Sequence, residues 1–143
     1  MTLRSRPASA SEAGLRAAAL TNNYYEEPLA DPAERARAAE ERAKLVALFD
    51  HFIESRVVGL SKPDPRIYEL ALRTIGCAAE DAVFLDDIGA NLKAAKRMGI
   101  RTILVRNDQD TSFHEALREL EAATGVALLD SAAPASGVPK ARL

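Results

Sequence analysis

Three polar clusters stand directly after apolar stretches, and each carries side chains that can handle an anion or a metal ion. Thr21-Asn22-Asn23 follows Ala17-Ala18-Ala19-Leu20, Lys62 sits in Gly59-Leu60-Ser61-Lys62-Pro63, and Asp86-Asp87 follows Val83-Phe84-Leu85. Taken singly, each has an ordinary structural explanation. A Thr-Asn pair often closes a turn with its own side chains, and a lysine beside a proline is commonly a solvated loop charge. An acid pair can cap a helix or join an ion pair, although two adjacent carboxylates raise each other's pKa unless a cation compensates. Taken together they supply a hydroxyl and amides for an anion, a cation to neutralise it, and hard oxygen donors of the kind Mg²⁺ prefers. That is equipment for phosphoryl transfer, in which electrostatic stabilisation does most of the work.

Such groups converge only if the strands before them are parallel, because ligands of parallel α/β sheets bind beyond the carboxyl ends of the strands. The apolar runs predict strands over Leu15 to Thr21, Phe49 to Ile53, Ala82 to Leu85 and Thr102 to Val105. Val83-Phe84-Leu85 and Ile103-Leu104-Val105 lack polar alternation, which suits strands covered on both faces. Helical stretches alternate with these runs. Asp31-Pro32-Ala33-Glu34 and Asp64-Pro65 read as helix starts, Gly76 ends the second helix, a third runs from Ala90 to Met98, and Ser112 with Glu115 opens a fourth that reaches Gly125. The alternation predicts an α/β fold with a mostly parallel, Rossmann-like sheet flanked by helices.

Composition narrows the function classes. The chain has 143 residues, 48% hydrophobic and 28% charged, with a net charge of -2, which suits one globular domain and offers no basic surface for nucleic acid. No apolar run approaches the roughly 20 residues of a membrane span. The lone Cys77 has no partner within the chain and fits a reducing compartment as a small apolar residue after a helix. His51 and His114 stand apart from the clusters and read as structural. Met1 to Ala10 is faintly like a transit peptide, and Ser131 onward reads as a flexible tail, giving a folded region over 1–130 and a tail over 131–143.

The segments AALTNN, GLSKPDPRIYELAL and AVFLDDIGANLKAAKRMGIRTILV resemble motifs two, three and four of the haloacid-dehalogenase-like hydrolases. The chain is most similar to the branch of phosphatase modules at the N terminus of soluble epoxide hydrolases and in some acyl-CoA dehydrogenase family proteins. The resemblance runs from about Ala10 to Leu129, and KPDPxIY followed by FLDDxGxN carries most of it. The order of the clusters agrees, since a receiver-type phosphorylation domain places its acid pair first along the chain. The resemblance implies a Mg²⁺-dependent phosphatase acting on phosphorylated small molecules. It implies that Thr21 and Asn22 bind phosphate, Lys62 neutralises the phosphoryl oxygens, Asp86 orients Lys62, Asp87 binds Mg²⁺, and Asn91 supports the turn into the following helix or caps it.

One motif of the family is missing. No D-x-D-x-[TV] precedes Thr21, so the strand bearing the nucleophilic aspartate, and the cap that follows it, are not among these residues. Asp31 and Asp64 read as helix caps, and Asp50 falls where the family has a strand. The resemblance therefore implies a catalytically incomplete core with weak or no Mg²⁺ binding. The missing strand lies between the motif-two and motif-four strands of the family sheet. Its neighbours must pair directly or present open edges, and open edges invite a strand-donating partner or a second copy of the chain, as a non-catalytic interaction module would. The expected compartment is the cytosol, with the peroxisome as alternative because Ala141-Arg142-Leu143 resembles a peroxisomal address.

Overall fold

Short β-branched and aromatic runs form four strands, and every pairing between them is parallel. The computed structural model describes residues 14–23, 31–106 and 112–128. Strand β1 (Ala18–Thr21) pairs with β2 (His51–Glu54), Ala18 opposite His51 and Thr21 opposite Glu54. Strand β3 (Val83–Asp86) pairs with β4 (Arg101–Leu104), Val83 opposite Arg101 and Asp86 opposite Leu104. Strands β1, β2 and β3 start later than the apolar runs, β2 and β3 continue onto Glu54 and Asp86, and β4 starts earlier, at Arg101, and ends at Leu104. Leu15 to Ala17 lie before the ladder, where Asp50 ties down the chain: the Ala17 N–H donates to its Oδ2 at 2.8 Å, and the Asp50 N–H donates to the Ala17 carbonyl at 2.8 Å.

The helices begin where side chains can satisfy their first N–H groups. Asp31 accepts from the Ala33 N–H at 2.8 Å and opens α1 (Pro32–Val46), and Asp64 accepts from the Arg66 N–H at 2.9 Å and opens α3 (Pro65–Ile75). Between them lies α2 (Ser55–Val58), a single turn the sequence pattern did not suggest. It stops at Gly59, whose φ of 70° only glycine adopts without strain, and the chain then turns toward Lys62. A 3-10 turn (Ala79–Asp81) leads into β3, and α4 (Gly89–Arg97) and α5 (Ser112–Thr124) complete the order. The Ser112 side chain, the expected cap of α5, lies outside the described residues, as do Met1 to Ala10 and the tail with Ala141-Arg142-Leu143.

The α/β architecture with parallel strands is the expected one, but the described strands form two separate pairs, with no ladder between β1 and β3. Ile67, Tyr68, Ala95 and Ile100 make the central core cluster, with Leu20, Leu72, Phe84 and Met98 packed on it. The Tyr68 ring meets Phe84 edge-on, with 5.5 Å between centroids. Helix α5 packs against β3 and β4, where Ala116 and Ile103 are buried. Helix α1 buries no side chain and leaves Leu45 48% exposed at its end. His51 is half-buried in β2 and His114 is exposed on α5. No helix among the described residues is long and apolar enough to cross a membrane.

Stability should follow this division. Ile67 is 0% exposed, so Ile67→Ala is expected to cost about 3 kcal/mol through lost burial and a residual cavity. Leu45→Ala should change stability by no more than about 0.5 kcal/mol. Denaturant midpoints of the two variants at neutral pH make the comparison.

Candidate functional site

Asp86 is the last residue of β3, so its side chain leaves the sheet at the carboxyl rim. Its Oδ2 accepts from Lys62 Nζ at 2.8 Å, and its Oδ1 accepts from the Ile88 N–H at 2.8 Å and from Asn91 Nδ2 at 3.0 Å. The side chains of Lys62 and Asp86 are 10% and 5% exposed, so the charges meet in a poorly solvated place. Burial alone would push the Asp86 carboxyl up, but the hydrogen bonds from Lys62, Ile88 and Asn91 and the lysine's charge outweigh it and hold the group below the ordinary carboxylate range. Lys62 Nζ also lies 5.5 Å from the centroid of the Phe84 ring.

Asn91 is buried in the first turn of α4 and spends its side-chain donor on Asp86, while the helix begins at Ile88 without a side-chain cap. Of the two roles left open for Asn91, the contact it makes is the supporting one. Its carbonyl accepts from the Tyr68 hydroxyl at 2.9 Å. Burial, and then the nearby Asp86 charge, push the Tyr68 hydroxyl up to about 12.

The loop after β1 is tied to the lysine loop by main-chain bonds. Asn22 Nδ2 donates to the Lys62 carbonyl at 2.8 Å, and the Lys62 N–H donates to Asn22 Oδ1 at 2.9 Å. The Asn22 side chain is thus a clasp on the main chain of Lys62. Thr21 Oγ1 donates to Asn23 Oδ1 at 2.8 Å, and Asn23 Nδ2 donates in turn to Glu54 Oε1 at 2.8 Å. Ser55 closes on the same loop: its hydroxyl accepts from the Asn23 N–H at 2.8 Å and donates to the Asn23 carbonyl at 3.0 Å. Buried Glu54 is also paired with Arg42 and Arg56. Burial would raise its carboxyl, and the two guanidinium groups more than offset that.

Asn22, Lys62, Asp86 and Asn91 are therefore joined in one chain of hydrogen bonds, with Thr21 at the end of the adjoining strand. Asp87 follows Asp86 and is exposed. Sequence reasoning missed Glu54, Ser55 and Tyr68, and gave Asn23 no role beyond its place in the Thr21-Asn22-Asn23 cluster. Glu54-Ser55 was there to be found, because it stands directly after Phe52-Ile53, as the other clusters stand after their apolar runs.

Mg²⁺ takes oxygen donors, usually one or two carboxylates with water. Both Asp86 oxygens are taken by three donors, which leaves Asp87 as the one carboxylate of the pair outside that cluster. The described residues contain no group of three or more His, Cys, Asp or Glu side chains that could hold a metal ion.

Parallel strands with a lysine, an acid pair and a Thr-Asn loop at one rim define a haloacid-dehalogenase-like hydrolase. The family model for haloacid dehalogenase-like hydrolases matches residues 6–99, and the chain belongs to that family. Bifunctional epoxide hydrolase 2 of Sus scrofa is 46% identical over 130 residues, 90% of this chain and 22% of that protein. Acyl-CoA dehydrogenase family member 10 of Mus musculus is 37% identical over 115 residues, 80% of this chain and 9% of that protein. The chain thus spans less than a quarter of the length of either relative. The crystal structure of an uncharacterized protein from Corynebacterium glutamicum matches the fold with a TM-score of 0.61 at 21% identity, covering 85% of this chain and 79% of that one.

The sign of the Asp86 effect sets a prediction. A carboxyl held low in the folded state adds stability that is complete above its unfolded pKa, about 3.9, and is lost as pH falls through the folded value. Asp86→Asn strands Lys62 in its buried pocket and should cost about 3 kcal/mol at neutral pH. It should also flatten the acid limb of a melting-midpoint-against-pH curve. An acid limb parallel to that of the parent chain would mean that the acid sensitivity comes from another carboxyl.

Proposed function

We propose that this chain supplies the phosphate-binding and charge-neutralising part of a Mg²⁺-dependent, phosphatase-type site for phosphorylated small molecules, and that it is catalytically incomplete by itself. The observation that carries the reading is the buried Lys62–Asp86 pair at the rim, 2.8 Å long and clasped to the Thr21-Asn22 loop. An ammonium has three N–H donors, and the bond to Asp86 uses one. The others can turn to phosphoryl oxygens. In this reading Thr21 and Asn22 bind the oxygens, Lys62 neutralises them, Asp86 fixes the lysine and Asn91 fixes Asp86.

Asp87 is assigned to Mg²⁺, which when bound adds positive charge beside the phosphoryl group. The donor set is too small for that ion to bind tightly without ligands from elsewhere. The reading of incompleteness rests on where the other acids are spent. Asp50 accepts the Ala17 N–H, and Asp31 and Asp64 cap helices, so none of the three is offered to a phosphorus atom. A second reading, a non-catalytic module whose sheet is completed from outside, is favoured by the absence of any ladder between β1 and β3.

With Mg²⁺ and p-nitrophenyl phosphate, the 143-residue chain is expected to show no turnover above a mock purification. Inorganic phosphate should nonetheless shift the amide resonances of Asn22, Asn23 and Lys62, and Lys62→Ala should weaken that binding at least tenfold, about 1.4 kcal/mol. Turnover that disappears in Asp87→Asn would overturn the incompleteness. Phosphate shifts unchanged in Lys62→Ala would overturn the site.

A further inference from the structure

A threonine hydroxyl has one proton and two lone pairs, and at Thr21 the surrounding loop decides where the proton goes. Glu54, 7% exposed at the end of β2, accepts from Arg42 of α1 at Oε2 and from Arg56 of α2 at Oε1, the latter at 3.2 Å. Burial would raise its carboxyl, but the two guanidinium groups hold it below the ordinary range, so at neutral pH it is ionised and can only accept. Oε1 also accepts from Asn23 Nδ2 at 2.8 Å. The Asn23 amide cannot turn round, because its oxygen would then face the carboxylate, and Ser55 holds both the N–H and the carbonyl of its main chain. Asn23 Oδ1 therefore faces Thr21 and takes the hydroxyl proton at 2.8 Å.

This gives the rim a polarity. The second neighbour of Thr21 Oγ1, the Ile53 carbonyl at 3.4 Å, is also an acceptor, and among the described residues no hydrogen bond is donated to that oxygen. Thr21 thus offers lone pairs. A doubly ionised phosphate has only acceptor oxygens, so it gains this hydroxyl only by taking the proton from Asn23, whose Oδ1 then loses its partner. A singly ionised phosphate keeps one P–OH, which can donate to Thr21 with the loop as it stands. The extra charge of the doubly ionised form does not reverse the preference, because the Lys62 ammonium is already paired with Asp86 at 2.8 Å.

We propose that Glu54 and Asn23 are positioning residues that make this rim select the singly ionised, protonated form of a phosphate group, by holding the Thr21 hydroxyl as an acceptor. The proposal rests on the phosphate-site reading above and names the ionic form that the site takes. Glu54 acts through Asn23 and needs no contact with the ligand. The charged groups around Glu54 and the Thr21 loop are Arg42, Arg56, Lys62 and Asp86. Arginine keeps its charge at every working pH. Histidine is the ordinary side chain that titrates between about pH 5 and 8, and His51 opens β2 at the end away from Glu54 while His114 stands on α5. The proton that matters in this range is the ligand's own.

The test is an NMR titration of the 143-residue chain without Mg²⁺, following the Asn22 and Lys62 amides across about pH 5 to 8 with methyl phosphate, methylphosphonate and sulfate. Methyl phosphate is a monoester whose second proton leaves near about pH 6. Methylphosphonate keeps its second proton to higher pH, and sulfate carries none in this range. Affinity should be about tenfold higher for the singly than for the doubly ionised ligand, on the order of one hydrogen bond. The midpoint should follow each ligand's own pKa, and sulfate affinity should stay constant. Thr21→Val should remove the rise by weakening binding of the protonated form. Asn23→Ala and Glu54→Gln, which free the Thr21 proton, should remove it by strengthening binding of the doubly ionised form, and Asn23→Ala keeps both arginines paired should Glu54→Gln fail to fold. A shared midpoint for the two titrating ligands, or a parallel rise with sulfate, would mean that a protein group titrates, and a rise that survives Thr21→Val would mean that the proton is read elsewhere; each overturns the proposal and leaves the phosphate site standing. A rise unchanged in Asn23→Ala and Glu54→Gln would overturn the positioning roles. No binding of any of the three ligands at any pH would overturn the proposal and the phosphate-site reading together.

Discussion

The buried pair of Lys62 and Asp86 constrains everything around it. Removing two charges from water costs several kcal/mol per ion, and attraction recovers this only when the geometry is close and the remaining lone pairs are filled. Here both conditions are met. The contact is 2.8 Å, and the second carboxylate oxygen takes the Ile88 N–H and the Asn91 amide. Lys62 comes from the loop after α2 and Asp86 from the end of β3, so the pair settles where that loop must lie relative to the β3–β4 pair. Tyr68 extends the constraint into the core, bonding the Asn91 carbonyl with its hydroxyl and packing its ring on Phe84. The site and the core cluster are in this sense one structure, because α3 supplies the Tyr68 that does both.

The half of the molecule built on β1 and β2 has its own anchor. Glu54, at the end of β2, is buried between two arginines and holds Asn23, which holds Thr21. The two strand pairs are joined by the shared core cluster, on which both Leu20 and Phe84 pack, and by polar contacts, the Asn22 clasp at one end and Arg16 at the other. A gap between two ladders persists only if something other than strand pairing fixes the distance across it. The clasp and the arginine are suited to that, since they join the ends of the strands and leave their edges open.

Much of this was legible in the sequence, for identifiable reasons. Strand positions followed from Val83-Phe84-Leu85 and its counterparts, because a run buried on both faces is apolar without alternation. The starts of α1 and α3 followed from Asp-Pro, since a carboxylate before proline meets N–H groups that no helix satisfies internally. That Lys62 and Asp86 lie together was readable from their places after apolar runs and from the resemblance to the hydrolase motifs. The residues missed act through register and tertiary contact. Glu54 matters because Arg42 comes to it from twelve residues earlier, and Tyr68 because α3 lies over Phe84. The turn of α2 carries too few residues to show a helical period. The clasp of Asn22 on the main chain of Lys62 bridges forty positions and leaves no local trace.

Charge balance at the rim keeps the buried pair neutral. Lys62 is neutralised by Asp86, so this buried pair carries no uncompensated charge whether or not phosphate is present. The same neutrality limits what it can do. An anion approaching Lys62 competes with Asp86 for the ammonium. Poor solvation of the pair strengthens repulsion as much as attraction. Anion binding at this rim therefore has to draw on the ammonium's remaining N–H donors. The arrangement is stable as it stands, and for that reason it is weakly charged for the chemistry its motifs resemble.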